Sequence, residues 1–291
     1  MRARFVLVGG TGFFGAALTR ELRGRGLTVV TIARGTHSTP DIRIDVAGAP
    51  ELLERVLQPG DTGVYLAGLS PLKRPVGGRR RYREIHLTGL RKALAVAERC
   101  GVTRFVQISA LGVSRRCGAG YGETKARGTA AVRAARVAGM VAEPSILFGA
   151  GSEIIRALAL ASRFPVVPLP HIMAAIRPIH VADAARRLAD ALTAGQMPQR
   201  LELTGPELLS FNEVATAYLK PRGVRIIALP RSLSRLLVRA VSKARIPGLP
   251  AELDAMLAMD NAGQPPPSPH ELIAFSRWAR ERRGRAPRRP P

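Results

Sequence analysis

The chain has 291 residues, enough for one large α/β domain or two small ones, and a hydrophobic share of 46% that supplies a core. No apolar run reaches the ~18 to 20 residues of a membrane span. Two cysteines, Cys100 and Cys117, are too few for a disulfide framework or a zinc site and fit a reducing interior.

The formal charge is +24, and only five of the 45 basic residues are lysine. The arginines are scattered from Arg2 to Arg289 without an aromatic-rich surface beside them, which makes nucleic acid an unlikely partner. Solvated positions, an anionic lipid surface or an acidic partner protein remain as their use.

Strand and helix signals alternate over the first 150 residues. "ARFVLVG" reads as a strand buried on both faces, and "FFGAALTREL" as a helix with Phe14, Leu18 and Leu22 on one side. "LTVVTIA" is a second strand, "ELLERVL" a helix and "TGVYLAG" a third strand. A long helix follows from about Arg80 to Arg99, with Ile85, Gly89, Ala93 and Ala97 on one stripe. "TRFVQIS" is a fourth strand, and a helix from Tyr121 to about Ala138 leads into "MVAEPSILFG". This rhythm predicts an α/β fold: a Rossmann-type doubly wound parallel sheet with right-handed crossovers and a small C-terminal substrate lobe.

After Gly151 prolines punctuate the chain and the elements shorten. The predicted organisation is a dinucleotide-binding domain over 1–150 with return segments from about 176–205. A partly interleaved lobe spans 151–262, and a C-terminal helix and basic proline-rich tail span 263–291. The segment "RSLSRLLVRAVSKAR" from Arg231 is amphipathic, with an arginine face suited to anionic lipid or to solvent. The tail beyond Trp278 reads as disordered.

The turn "VLVGGTGFFG" carries the first chemical signal. Gly9 permits a sharp exit from the strand, Gly12 lets backbone approach a pyrophosphate, and Gly15 lets the helix pack close to the sheet. The helix N-terminus offers N–H groups and a positive dipole end to phosphates. Thr11, Phe13 and Phe14 belong to the same expected cofactor-binding turn. At the end of the second strand stand Ala33, Arg34 and Gly35, with no acid until Asp41. Arg34 is therefore expected to clamp a ribose 2′-phosphate, favouring NADP(H) over NAD(H). Asp45 and Val46 are expected beside the adenine, and Ala67 and Gly68 along the cofactor wall.

Tyr121 and Lys125 form Y-x-x-x-K at the start of a helix, one turn apart on one face. An ammonium near a phenol favours the phenolate, which suits Tyr121 to acid/base work on a carbonyl or alcohol, while Lys125 holds the nicotinamide ribose. Ser109 ends the fourth strand, where its hydroxyl is expected to hold the substrate oxygen.

"VGGTGFFG", "YREIHLTGLRKALAVAERCGVTRFVQIS", "YGETKARGTAAV", "PSILFGAGS" and "IRPIHVADAA" together resemble the short-chain dehydrogenase/reductase superfamily. The resemblance runs from residue 4 to about 210, with a weaker trace to about 262. It is to the extended and atypical branch, epimerase/dehydratase-like, and closest in look to the nucleotide-binding accessory subunit of respiratory complex I. It implies a Rossmann domain with a small substrate lobe, catalytic positions at Ser109, Tyr121 and Lys125, cofactor positions at Gly9, Gly12, Gly15 and Arg34, and dimers through the two long helices. Three departures stand out: only twelve residues separate Ser109 from Tyr121, His86 occupies a usual asparagine position, and Glu143 replaces a usual arginine.

Three readings follow. One is an NADPH-dependent oxidoreductase of a small carbonyl, alcohol or quinone-like substrate. Another is a catalytically quiet NADPH-binding structural or redox-sensing subunit at a membrane complex, and the third a nucleotide-sugar epimerase or dehydratase. The expected location is cytoplasmic, with peripheral membrane association through the basic C-terminal region.

Overall fold

The computed structural model of the chain describes residues 3–35, 39–70, 78–114, 120–171, 174–230, 232–234 and 261–282. In chain order the main elements are β1 (Arg4–Val8), α1 (Phe13–Gly24), β2 (Thr28–Ala33), β3 (Ile42–Arg43), β4 (Thr62–Tyr65) and α2 (Gly78–Tyr82). A π-helical segment (Arg83–Gly89) leads directly into α3 (Leu90–Arg99). Then come β5 (Arg104–Ile108), α4 (Tyr121–Arg133), β6 (Ala138–Pro144), β7 (Leu147–Phe148), α5 (Glu153–Ala161), β8 (Val166–Leu169), β9 (Ala175–Ile176) and β10 (Ile179–His180). The series closes with α6 (Val181–Thr193), β11 (Arg200–Leu203), β12 (Leu209–Ser210), α7 (Phe211–Leu219), β13 (Arg225–Ala228) and α8 (Phe275–Glu281).

Two compact units share the chain. The first comprises 1–70, 75–143 and 185–202. It is built on a seven-stranded sheet ordered β11-β6-β5-β4-β1-β2-β3, in which neighbours from β3 through β6 run parallel. The order reverses at β1, which pairs β2 on one side and β4 on the other, Val8 facing both Ile32 and Tyr65. Open parallel sheets bind ligands outside the carboxyl ends of the strands at such a switch point. The expected α/β Rossmann fold is thus present.

Apolar periodicity explains the packing. β1 is nearly all buried, as a strand covered on both faces must be, and Phe14, Leu18 and Leu22 turn inward from α1 at helical spacing. Leu7, Leu18 and Leu22 are fully buried, each worth roughly 1.5–3 kcal/mol against exposure. The stripe of Ile85, Gly89, Ala93 and Ala97 is buried as read from its spacing.

Three local expectations shift. The stretch 50–55 is a 3₁₀ turn, and α4 stops at Arg133 because β6 already begins at Ala138. The helix expected over 80–99 is interrupted by the π segment, whose shape Tyr65 supports: its hydroxyl donates to the Ile85 carbonyl at 2.7 Å. A side chain at Gly89 would stand 2.9 Å from that hydroxyl, so the position is kept bare.

The second unit comprises 71–74, 144–184 and 203–291. It holds three two-stranded pairs: β7 with β10 and β8 with β13, both parallel, and β9 with β12, antiparallel. Its core gathers Ile154 and Ile155 of α5, Val214 and Tyr218 of α7, and Phe275 and Trp278 of α8 around Phe148. Phe148 meets Phe275 edge-on at 5.0 Å and Trp278 at 5.4 Å. Ser210 and Glu213 close a reciprocal capping box at the start of α7. Among the described residues no helix is long and apolar enough to cross a membrane, and no group of His, Cys, Asp and Glu has the makings of a metal site. The amphipathic stretch from Arg231 lies outside the described residues except for 232–234, as do Cys117 and the tail after 282.

Candidate functional site

The glycine turn is shaped by close backbone contacts. Gly9 has a φ of +88°, donates its N–H to the Ile32 carbonyl at 2.7 Å, and a Cβ there would stand 2.7 Å from the Ala67 nitrogen. A Cβ at Gly15 would collide with the Gly9 carbonyl oxygen and stand 2.8 Å from Gly10. Gly12 caps α1 with no side-chain hydrogen bond, so the first N–H groups of the helix are left to a ligand. Thr19 ties the helix to the turn through the carbonyls of Gly10 and Gly15. Around the turn, Thr11 is half-buried and Phe13 exposed, while Phe14 packs into the core.

The edge formed by β2 and β3 carries two cations. Arg34 is exposed just beyond β2, and neither it nor Arg43 has an acceptor among the described residues. Arg43, paired with Ala33 in the β2–β3 register, lays its side chain across Gly35, where a Cβ would stand 2.8 Å from its Nε. The sequence reading did not single out Arg43. Its signal is the short apolar run Ile42–Ile44, which makes position 43 a strand-edge neighbour of Arg34.

The nearest acid, Asp41, is committed elsewhere. Its Oδ2 accepts from the Thr31 N–H at 2.7 Å, the Thr31 hydroxyl at 2.8 Å and Arg23 at 2.7 Å. Burial works to raise the pKa of this carboxyl, but these donors together hold it below the usual carboxylate range. Asp45 takes the Ala47 N–H at 3.1 Å in a local turn, and Val46 is buried in the core.

A buried group forms where β4 and β5 end. Lys125 is buried in the first turns of α4 and donates from Nζ to the Ile108 carbonyl at 2.6 Å, and burial lowers its pKa to about 8. A Cβ at Gly68 would stand 3.5 Å from both Lys125 Nζ and His86 Nε2, so the glycine is the floor on which the two meet.

His86, placed by the π segment, accepts the Leu69 N–H at Nε2 over 2.9 Å, and its Nδ1 lies 3.2 Å from the Thr124 hydroxyl. Because the Leu69 N–H must donate, the neutral imidazole carries its proton on Nδ1 and donates it in a hydrogen bond to the Thr124 hydroxyl, which in turn donates to the Gly120 carbonyl at 2.8 Å. Burial first, and the Lys125 ammonium second, hold His86 well below the usual imidazole range. Tyr121 meets the His86 ring edge-on at 5.4 Å and the Tyr82 ring edge-on at 6.0 Å. Tyr121, Lys125, His86 and Gly68 are therefore brought together.

Ser109 is not. Its hydroxyl is buried and lies 3.2 Å from that of Thr129. Thr129 sits two turns past Tyr121, about 12 Å along the helix. Gln107, two residues earlier on the same side of β5, donates to the Lys125 carbonyl at 3.4 Å, so both polar side chains face the underside of α4. Glu143 accepts from Arg200 Nε at 2.8 Å between β6 and β11.

The sequence profile of the NAD dependent epimerase/dehydratase family matches residues 5–200. A ceramide reductase of Caulobacter vibrioides is 29% identical over 195 residues, which cover 64% of this chain and 60% of the relative. Among solved structures, a nucleoside-diphosphate-sugar epimerase of Staphylococcus aureus superposes with a TM-score of 0.74 at 14% identity, over 95% of this chain and 99% of its own. A dTDP-4-dehydrorhamnose reductase ortholog of Clostridium acetobutylicum gives 0.66 at 16% identity, over 78% and 83% of the two chains. The UDP-glucose 4-epimerase of Thermus thermophilus, solved in complex with NAD, gives 0.63 at 18% identity, over 78% and 86%. At these identities the structural likeness is one of fold.

Proposed function

Since the chain belongs to the NAD dependent epimerase/dehydratase family, we propose that it is an NADPH-dependent oxidoreductase that reduces a carbonyl on a lipophilic substrate. The observation that carries this reading is the convergence of Lys125, His86 and Gly68 beside the Tyr121 ring at the carboxyl edge of the sheet. The name of the Caulobacter relative supports a lipid carbonyl as the substrate class.

The residues fit a dinucleotide. The bare Gly12 cap and the close-packed Gly9 and Gly15 leave room for a pyrophosphate against backbone N–H groups, and Arg34 and Arg43 offer unmatched charge to a 2′-phosphate. A nicotinamide cofactor held in this cradle would supply a hydride for the carbonyl carbon. Tyr121 delivers the proton to the carbonyl oxygen, so that carbonyl, hydride and proton balance as the alcohol. Lys125 lowers the cost of the resulting phenolate by placing positive charge one helical turn away. His86 stays neutral, adds no competing charge, and holds the Gly68–Leu69 backbone against α4.

A second reading has its own observation. The Ser109 hydroxyl lies 3.2 Å from that of Thr129, and a proton given to Thr129 would be withheld from a substrate, which favours a quiet NADPH-binding subunit, including one at a membrane complex. A nucleotide-sugar epimerase, the third reading, is supported by the family profile and by likeness of fold to sugar epimerases.

The test is direct. The purified chain is titrated with NADPH and then assayed with long-chain keto-lipids and quinones. NADPH oxidation that Tyr121→Phe abolishes supports the enzyme, tight NADPH binding without turnover supports the quiet subunit, and absence of NADPH binding removes both.

A further inference from the structure

The second unit carries a face that the proposed chemistry does not use. In β8 the side chains alternate: Val167 and Leu169 pack into the core, and Val166 and Pro168 point out. The β8–β13 register sets Val166 beside Arg225 and Pro168 beside Ile227, on the same outward face, while Ile226 turns inward. The chain enters β8 from α5 through a turn in which Arg163 donates to the Leu160 carbonyl and Phe164 to that of Ala161. Leu160 lies in the last turn of α5, and Phe164 follows it in the turn that enters β8. Leu160 (57%), Phe164 (58%), Val166 (40%) and Ile227 (47%) are large apolar side chains left in water. Scattered apolar residues on a surface need no explanation, but several joined through one ribbon do.

The charge around them is one-sided. Residues 160–171 and 220–230, which form this ribbon and the turns into it, contain no Asp or Glu but hold Arg163, Lys220, Arg222 and Arg225, and α5 adds Arg156. The acids of the flanking helices, Glu153 and Glu213, stand in their first turns. Arg222 is spent: it stacks on Tyr218 at 3.6 Å and donates to the Tyr218 carbonyl at 2.6 Å. Arg156, Arg163 and Arg225 are exposed and have no acceptor among the described residues. Arg163 and Arg225 bracket Phe164 and Val166, because Arg225 donates its N–H to Pro165 at 2.8 Å.

We propose that this face docks the protein onto an anionic lipid bilayer, with Phe164, Val166, Ile227 and Leu160 entering the headgroup boundary and Arg156, Arg163 and Arg225 meeting lipid phosphates. A bilayer satisfies both halves of the patch at once, taking apolar side chains a few ångströms deep beside a plane of negative charge. An acidic protein would answer the arginines and leave the apolar side chains without a partner. The docking does not depend on the reaction proposed above, and it would bring a reductase to a substrate that lives in the membrane.

The test is vesicle sedimentation of the full chain with phosphatidylcholine alone and with phosphatidylglycerol added, at low and high salt. Two double variants accompany the wild type, Phe164→Ser with Ile227→Ser and Arg163→Gln with Arg225→Gln. The expected result is salt-sensitive binding to the anionic vesicles only, weakened ~10-fold or more in each double variant, with a flatter salt dependence in the arginine pair. Failure of the wild type to bind anionic vesicles overturns the proposal, as does equal binding by wild type and both variants. A wild-type dimer that Phe164→Ser with Ile227→Ser makes monomeric, with vesicle binding unaltered, overturns it too and assigns the face to a second copy. The exposed arginine pair leaves the core untouched, so it decides the matter even where the apolar pair unfolds.

Discussion

The hydroxyls of Ser109 and Thr129 lie 3.2 Å apart in the core beneath α4. This pairing makes the serine at the end of β5 part of the packing between strand and helix. Ser109→Ala should cost about 1 kcal/mol of stability, the worth of a neutral hydrogen bond, and leave turnover nearly unchanged. Tyr121→Phe should lower turnover by about 10²- to 10⁴-fold with little change in melting temperature. Steady-state kinetics beside thermal melts distinguish the two, and a large kinetic loss in Ser109→Ala would return the serine to the reacting centre.

The two arginines on the β2–β3 edge predict cofactor choice. Arg34→Ala and Arg43→Ala should each weaken NADPH by about 10- to 100-fold, the range of a charge-assisted hydrogen bond, and leave NADH unchanged. Fluorescence titration with both cofactors reads this. Loss in Arg34→Ala alone would confine the clamp to one residue, and equal losses for NADH would place neither arginine at the 2′ position.

Lys125 and His86 make stability depend on pH in separate windows. Lys125 holds its proton to about pH 8 in the folded chain, against 10.5 for the free group, because burial disfavours the cation. Between these values the unfolded chain binds more protons, so this residue's contribution to stability rises with pH. Lys125→Met should flatten that rise without lowering the melting temperature at neutral pH. Activity that needs the cation should fall as pH passes about 8.

His86 works at the other end. Its folded pKa lies well below 6.5, so below about pH 6.5 the unfolded chain takes up a proton that the folded one refuses, and stability drops as pH falls. His180, also held down by burial, adds to the same slope. His86→Gln should remove only its share, measured as the difference in melting temperature between pH 7 and pH 5.

Gly15→Ala would set a methyl group against the Gly9 carbonyl and 2.8 Å from Gly10. The clash should cost about 1–3 kcal/mol, as overpacking does, and should abolish dinucleotide binding because the turn has to open. A variant that melts like the wild type and still binds NADPH would show that the turn has slack.

The glycine turn and the tyrosine–lysine pair were legible because each rests on one local rule, backbone clearance for the former and one helical turn for the latter. Arg43 was not, because its position depends on a two-residue strand finding β2, a pairing no local pattern encodes. His86 reaches Leu69 and Thr124 only through a π segment, and a reading in steps of 3.6 residues per turn does not expect one. Ser109 has a neighbour that went unread. The alternation of β5 already put Gln107 and Ser109 on one side, and the polar partner waiting there, Thr129, could have been read from the helix repeat starting at Tyr121.

The widened turn over Arg83–Gly89 bears on how this helix is to be aligned and reused. A wider turn carries more chain than an α-helix of equal length, so sequences whose helix is regular here need a gap somewhere in these seven residues. A designer who grafted the segment as plain α-helix would preserve α2 and α3 on either side and still turn a different residue towards Leu69.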